Sequence, residues 1–391
     1  MKGIVNVHQS EYGTEPLVVV EVPQVTTLLG AFSEFCSGFA LMSTNTQGLR
    51  VALSLRSDSQ VHIFNSTAKE RKKFQLLAIR PRKEDKWCTP VKSLCQMLQS
   101  MDVTVPGFNL TIKGQSAIAD APSVTAAITS GLLLALNEVL GLGLEANSQM
   151  RIAFNSNRYS EVYKSRLRDL ITIFSSEPGM MLRFDLESYE YSSFPYPFTS
   201  SSGTGSWFID CALPADELSQ EVAIFREEAK KAFECLKAEM PKGTKLRSVP
   251  RKEIIESKVL SEDWKRVITF VTEDSNASEK GYEALLAGDS KQLGKVMSTE
   301  QHNISQLTGL TSPEVDWLVK RGSEMDTVWG VTEISVGITG TLVALMDKDS
   351  ESIFRDKLAE YERIFGFKPE MREYIPSGAI RIRTADEYPF I

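Results

Sequence analysis

Histidine and cysteine are the side chains most often used as metal ligands and nucleophiles, and this sequence contains few of them. Its three histidines, His8, His62 and His302, lie far apart along the chain. Its five cysteines form no Cys-x-x-Cys pair. Zinc sites need several such ligands at short spacing, so we predict no metal site. An odd number of scattered cysteines is typical of free thiols in a reducing cytoplasm.

Charge and hydropathy argue against two classes of partner. The formal net charge is −7, whereas nucleic-acid recognition depends on clustered Lys and Arg. One basic stretch, 69–73, is interpreted as a solvated face or loop. The longest apolar stretch, 128–144, is interrupted by Asn137 and Glu138 and is predicted to be too short to span a bilayer. The N-terminus also lacks the features of a signal peptide, so we predict a cytoplasmic protein.

The order of hydrophobic runs predicts a mixed fold. Strand-like runs occupy 16–22, 38–42, 49–55, 60–64, 105–112, 207–212 and 330–346, and a last strand lies near residue 380. A charged helix is predicted over 215–239, with further helices up to residue 320 and another before the last strand. Because no regular βαβ repeat is present, the pattern favours an α+β fold.

A long helix is predicted after residue 120. Its apolar residues recur at three- or four-residue spacing from Val124 to Val139, and Gly141 marks its end. Asp120 and Pro122 suit a helix start, as a cap and a first-turn residue.

The segment 189–205, rich in Ser, Pro, Gly and Tyr, is the best candidate for a domain junction. It divides the chain into an N-terminal lobe over 1–200 and a C-terminal lobe over 201–391.

Several stretches, in order along nearly the whole chain, resemble galactokinases of the GHMP small-molecule kinase superfamily. The run 23–38 is PQVTTLLGAFSEFCSG, where the family has P-G-R-V-N-L-I-G-E-H-T-D-Y-N-G-G. The opening 12–16 and the later stretches 284–289, 293–297 and 312–318 are also similar to the family. This resemblance implies two α/β lobes with a cleft between them. It also implies transfer of the ATP γ-phosphate to the anomeric hydroxyl of galactose, with ATP and magnesium as cofactors if the chain is active.

The phosphate-binding loop of the family, G-x-G-L-S-S-S-A, corresponds to residues 119–127. Both glycines are absent, Pro122 removes a backbone donor, and Asp120 places a carboxylate where phosphates would lie. Only the hydroxyls of Ser123 and Thr125 remain as candidate nucleotide contacts. An ordinary capped core helix is therefore favoured over a working phosphate loop.

The family's catalytic pair is an Arg in the first motif and an Asp in a later one. The Arg position falls on Val25, which cannot neutralise charge in phosphoryl transfer. Counting back from 184–191, which resembles the family's I-D-C-R-S-L-E-Y, the Asp position falls on Asp169. The alternative to a catalytic role is that Asp169, next to Arg168, forms an ordinary solvated ion pair.

The sugar-binding and third motifs also depart from the family. The acidic E-H-T-D run corresponds to residues 31–34, where only Glu34 is acidic and is the candidate sugar contact. A family tyrosine in the second lobe falls on Val222. The third motif, T-G-A-G-F-G-G, corresponds to 334–340 and keeps Gly337 and Gly340 as candidate nucleotide contacts, although β-branched neighbours favour a plain strand.

Three hypotheses follow. The first is a degenerate galactokinase homologue with little or no kinase activity, acting in binding of a small, sugar-like molecule or in regulation through a protein partner. The second is an active sugar kinase with a remodelled site and another substrate, in which Lys2, Arg166 or Arg168 replaces the missing Arg. The third is a structural role through oligomerisation, for which the sequence contains no coiled-coil heptad.

Overall fold

The computed structural model describes residues 3–80, 82–114, 122–214, 219–334 and 340–383. The strands are β1 (Val18–Leu29), β2 (Phe39–Leu55), β3 (Gln60–Asn65), β4 (Glu70–Gln75), β5 (Phe108–Lys113), β6 (Met180–Asp185), β7 (Tyr191–Pro195), β8 (Thr204–Asp210), β9 (Val328–Ile334), β10 (Thr341–Asp347), β11 (Glu370–Glu373) and β12 (Arg381–Arg383). The helices are α1 (Ile4–Tyr12), α2 (Thr89–Gln99), α3 (Pro122–Leu140), α4 (Ala146–Asn155), α5 (Leu167–Ser175), α6 (Ser219–Glu239), α7 (Arg251–Glu256), α8 (Glu262–Ala287), α9 (Ser290–Asn303), α10 (Pro313–Ser323) and α11 (Glu351–Phe365).

The chain forms two compact units whose segments are interleaved. The first contains the described residues of 1–25, 44–177 and 377–391, and the second those of 26–43 and 178–376. The long strands β1 and β2 contribute residues to both units. The predicted boundary between residues 200 and 201 divides the chain at one point, whereas each unit is formed from separate segments. This boundary falls inside the second unit.

The first unit is built on a sheet with the strand order β12-β1-β2-β5-β3-β4. The pairs β1–β12, β2–β5 and β3–β4 are antiparallel, whereas β3 and β5 are parallel. The strands predicted over 38–42 and 49–55 are one strand, β2. A Cβ atom on Gly48 would lie 1.7 Å from the carbonyl oxygen of Val22, so this glycine permits close strand contact where the sequence indicated a break.

The basic stretch at 69–73 lies mostly on β4, which the sequence analysis did not predict. β4 ends the strand order of this sheet, and its charged side chains are largely exposed. Charged residues are typical of edge strands because they discourage pairing with other chains. Because most of these residues are charged, β4 lacks the apolar alternation that predicts a strand.

The long helix begins at Pro122, and Gly141, with φ 61°, follows its last residue. At 19 residues, α3 is long and apolar enough to cross a membrane, so the prediction that this stretch is too short was wrong. However, 67% of the apolar part of α3 is buried inside the protein. Helices α2, α4 and α5 pack against it, which makes α3 a core helix of the first unit.

The second unit contains an antiparallel sheet with the order β11-β8-β10-β9. A hairpin of β6 and β7 pairs with residues 39–42 of β2. The segment 189–205, predicted as a domain junction, lies inside this unit. The reason is that its aromatic residues alternate: Phe194, Tyr196 and Phe198 are buried in the core, while intervening polar residues and prolines remain more exposed. The mixed, mainly antiparallel architecture confirms the α+β prediction.

Candidate functional site

The helix predicted to follow the phosphate loop carries two of the candidate nucleotide contacts. Ser123 is half-buried and Thr125 is buried, with 6% of its surface exposed. The preceding residues 115–121, including Asp120, lie outside the described residues. Thr125 is thus packed into the protein interior, as expected for a core helix.

Asp169 lies in the first turn of α5 and is fully buried. Its Oδ2 accepts a hydrogen bond from Nε of Arg166 at 2.9 Å, and its Oδ1 is 3.9 Å from Nε of Arg168. Arg168 is itself only 2% exposed. The interpretation of this group as a solvated ion pair was therefore wrong, because α5 packs into the interior against α3 and α4.

The structure thus places two predicted elements of the phosphate site together in the first unit. Helix α3, with Ser123 and Thr125, packs on α5, which carries Asp169. The guanidinium groups proposed as replacement cations are next to Asp169, so their charge offsets this carboxylate. At the family's Arg position, Val25 is a buried residue of β1 and provides no charge.

The loop that corresponds to the sugar motif is tightly constructed. Gly30 has φ 86°, and a Cβ atom there would lie 2.3 Å from the carbonyl oxygen of Phe39, so the position requires glycine. A 3-10 turn over Ser33–Cys36 follows. The carboxylate of Asp274 on α8 accepts hydrogen bonds from the backbone N–H groups of Gly30 and Phe32, both at 2.7 Å. The hydroxyl of Ser33 donates to the same carboxylate at 3.3 Å.

Phe32 fills the interior next to this loop. It is 1% exposed, and its ring packs edge-on against Phe225 at 5.1 Å and Phe270 at 5.5 Å between ring centres. Val222, at the position of the family tyrosine, is buried in the same apolar cluster. Phe32 and Val222, two of the positions that the resemblance aligns with sugar-binding side chains, therefore lie in one hydrophobic cluster here.

Glu34, the predicted sugar contact, forms an ion pair with Arg226 of α6. Both side chains are 23% exposed. The guanidinium of Arg226 lies 4.8 Å from the centre of the Phe32 ring, in a cation–π arrangement. The only acidic residue that remains in the motif is thus engaged by a basic side chain.

Gly340 immediately precedes β10, and Gly337 lies outside the described residues. Gly340 has φ 58°, and a Cβ atom there would lie 2.6 Å from Cδ1 of Leu213. Its carbonyl oxygen accepts a hydrogen bond from the backbone N–H of Cys211 at 3.1 Å. The backbone conformation and the packing against Leu213 therefore explain why a glycine occupies position 340.

Sequence reasoning missed Asp274 and its neighbour Glu300, both buried acids. Burial, followed by the charge and hydrogen bond of Asp274, raises the pKa of Glu300 well above its ordinary value. The available signal was the position of Asp274 on the buried face of α8, three residues after Val271 and four before Ser278. No local pattern links it to Gly30, which is 244 residues away.

Comparisons with known proteins extend over the full chain. No protein-family model matches it. A Treponema pallidum protein that carries galactokinase as a provisional name is 28% identical over 392 residues, which cover 98% of this chain and 96% of that protein. The crystal structure of Lactococcus lactis galactokinase complexed with galactose has a TM-score of 0.83 at 17% identity, with 97% of this chain and 98% of that chain covered.

The fold also has a more distant similarity to a second solved kinase. Streptococcus pneumoniae phosphomevalonate kinase, in complex with phosphomevalonate and AMPPNP, has a TM-score of 0.63 at 12% identity. The similarity covers 92% of this chain and all of that chain. The arrangement of strands and helices is thus common to this chain and the two solved kinases, although few residues are identical.

Proposed function

We propose that this chain, which belongs to the galactokinase family of GHMP-type kinases, has little or no galactokinase activity and acts in small-molecule binding or regulation. The observation that carries the proposal is the structure of residues 30–38. Phe32 is buried among aromatic rings and Glu34 is paired with Arg226, so neither presents a free polar group to a sugar. Sugar recognition depends on hydrogen bonds to hydroxyl groups, and these side chains do not offer them.

The first unit supports the same proposal. Phosphoryl transfer requires positive charge around the phosphates, and the family's Arg position is the buried Val25. Pro122 at the start of α3 has no N–H to offer a phosphate. Loss of one charge-stabilising arginine alone reduces phosphoryl transfer about a thousandfold or more.

The alternative is an active kinase with another substrate, and one observation favours it. Asp169 is fully buried beside two arginines, on a helix that packs against α3. An acid at the family's catalytic position, held by cations, is compatible with phosphoryl transfer by a remodelled site. This hypothesis requires ATP hydrolysis or transfer that depends on Asp169.

Calorimetric titration with MgATP separates the two hypotheses. The purified chain is titrated with MgATP alone and then with galactose and a panel of other monosaccharides, with Lactococcus lactis galactokinase as the positive control. We expect no saturable heat with MgATP and no ADP formation. ATP is the nucleotide to test because a related kinase is solved with its analogue AMPPNP.

Variants then decide the outcome. Turnover that is lost in Asp169→Asn and retained in Asp289→Asn, a change at an exposed helix cap of the second unit, would establish the active kinase instead. Heat with a monosaccharide but none with MgATP would identify a sugar-binding protein. We place this function in the cytoplasm, a proposal supported by five free cysteines, four of them buried.

A further inference from the structure

Two buried acids from different helices meet behind the loop 30–33. Asp274 on α8 is 2% exposed, and Glu300 on α9 is 4% exposed. Helices α8 and α9 pack against each other, and the charge and hydrogen bond of Asp274 contribute to the raised pKa of Glu300. Two neighbouring carboxyl groups in a buried site cannot both be ionised without strong repulsion, so one of them holds a proton.

The contacts of Asp274 decide where that proton lies. Both of its oxygens accept hydrogen bonds, from Gly30 N–H at Oδ1 and from Phe32 N–H and the Ser33 hydroxyl at Oδ2. Short hydrogen bonds from two backbone N–H groups favour an ionised carboxylate. Glu300, in contrast, has no donor at Oε2 among the described residues. A charged oxygen in that position would be costly, so the proton belongs to Glu300.

The surroundings of Glu300 add negative charge. On α8, Glu273 is a third acid that acts on it. β9 packs against α9 and carries Glu333, whose backbone N–H donates to Gln301. The segment 304–308, which follows α9, has no ionisable side chain. In the loop itself, burial and Asp274 raise the pKa of the Cys36 thiol to about 12, so this group stays neutral. Asp274 and Glu273 both favour the neutral form of Glu300.

We propose that Glu300 is a positioning residue that donates its proton to the carboxylate of Asp274, and that this pair is a pH-sensitive latch on the loop 30–33. While Glu300 is neutral, Asp274 stays ionised and holds the two backbone N–H groups. When Glu300 ionises, repulsion between the carboxylates weakens these bonds and loosens the loop. The latch involves only residues of the second unit and does not depend on whether the protein is a kinase.

The sign of the pH effect follows from proton binding. Glu300 has a higher pKa in the folded protein than in the unfolded chain, so the folded state binds more protons between these two values. Its contribution to stability is complete below the unfolded pKa and is lost as pH rises through the folded pKa. The loop is therefore closed in acid and is released in alkali.

Hydrogen–deuterium exchange of the peptide 28–38 tests the latch. The wild type is compared at each pH with Glu300→Gln, which keeps a donor to Asp274 but has no proton to lose. Between the ordinary glutamate range and the titration of Glu300 in the folded protein, we expect exchange in the wild type to accelerate relative to Glu300→Gln by about tenfold per pH unit, and this ratio should level off above that titration. Glu300→Met, which has no donor, should expose the loop at every pH. The control is Glu283→Gln, the same change at an exposed acid of α8, which should exchange as the wild type does.

Equal exchange in the wild type and Glu300→Gln at all pH values would overturn the proposal, as would a loop loosened by Glu300→Gln. A measurement without variants covers the case in which they do not fold. The amide ¹H–¹⁵N signals of Gly30 and Phe32 in the wild type should shift together with one midpoint above the ordinary glutamate range. Signals that do not titrate before global unfolding would also disprove the latch.

Discussion

Asp169 in the first unit and Asp274 in the second are both buried, but their charges are neutralised in different ways. Asp169 relies on guanidinium groups from its own helix turn, Arg166 and Arg168. Asp274 relies on backbone N–H groups of a loop and on a neutral acid. A carboxylate that pairs with side chains can be replaced, together with those side chains, without a change in the backbone. A carboxylate that holds backbone groups determines the shape of the chain around it.

If backbone N–H groups are the main partners of Asp274, then Asp274→Ala should have the largest effect. The substitution leaves the N–H groups of Gly30 and Phe32 buried without an acceptor. We expect the free energy of unfolding of the second unit to fall by about 3–5 kcal/mol, at about 1–3 kcal/mol for each unsatisfied group. Urea denaturation followed by tryptophan fluorescence measures this change.

The matched control is Asp289→Ala, which removes a carboxylate that accepts the backbone N–H of Gln292 at the exposed start of α9. Loss of such a cap costs about 1 kcal/mol. Equal losses in the two variants would mean that Asp274 is an ordinary cap, and the contrast with Asp169 would disappear.

The two units should also respond to pH with opposite signs, because His8 in the first unit is buried as a neutral base. Its ring nitrogens lie 2.9 Å from the hydroxyls of Thr111 and Ser54, and burial lowers its pKa to about 4. Between pH 6.5 and 4 the unfolded chain binds a proton that the folded protein does not. Stability should therefore fall with decreasing pH across this window, by about 2–3 kcal/mol in total.

Denaturation of wild type and His8→Asn at pH 7 and pH 4.5 checks this expectation. The variant should be less stable at pH 7 but should lose less on acidification than the wild type. His302→Asn, at an exposed position of α9, is the control and should follow the wild type. An identical loss in the wild type and His8→Asn would show that another group controls the acid response.

Sequence reasoning worked best where a pattern is local. The spacing of Val124 to Val139 predicted α3, and short apolar runs predicted most strands. It failed where the partner is distant: β2 was predicted as two strands, 38–42 and 49–55, because the close approach of Gly48 to the carbonyl of Val22 is not visible in the sequence. The same holds for Asp274, whose partner Gly30 is 244 residues away.

For the candidate site, the sequence predicted the loss of polar and charged residues but not their replacement by new contacts. The position of Asp169 followed from its distance to the run 184–191, yet its complete burial depends on the packing of α5 against α3 and α4. Likewise, Phe32 and Val222 were known departures from the family, but their shared apolar cluster is a tertiary feature. The sequence gives the residue type at each position, whereas the burial of that residue depends on the packing of the whole unit.

A smaller effect is expected at Asp169, because its partners are side chains that can adjust. Asp169→Asn retains the shape but removes the charge that Arg166 and Arg168 face. We expect the free energy of unfolding of the first unit to fall by about 2 kcal/mol, the scale of a hydrogen bond to a charged group. The control is Glu84→Gln, at an exposed pair with Arg82 separated by 3.7 Å, which should cause no measurable change. A loss above that of Asp274→Ala would reverse the order of the two aspartates.

The smallest effect should come from Arg226, which binds Glu34 beside the same loop that Asp274 holds. If Asp274 determines the loop and Arg226 only covers it, Arg226→Met should lower the free energy of unfolding by only about 1 kcal/mol, from a half-buried ion pair and a cation–π contact. A double-mutant cycle with Glu34→Gln should give a coupling of about 0.5–1 kcal/mol that decreases with added salt. Lys252→Met, in an exposed pair with Glu256, should be neutral. A coupling several times larger would mean that Arg226 and Glu34 hold the loop, and that Asp274 is not its main support.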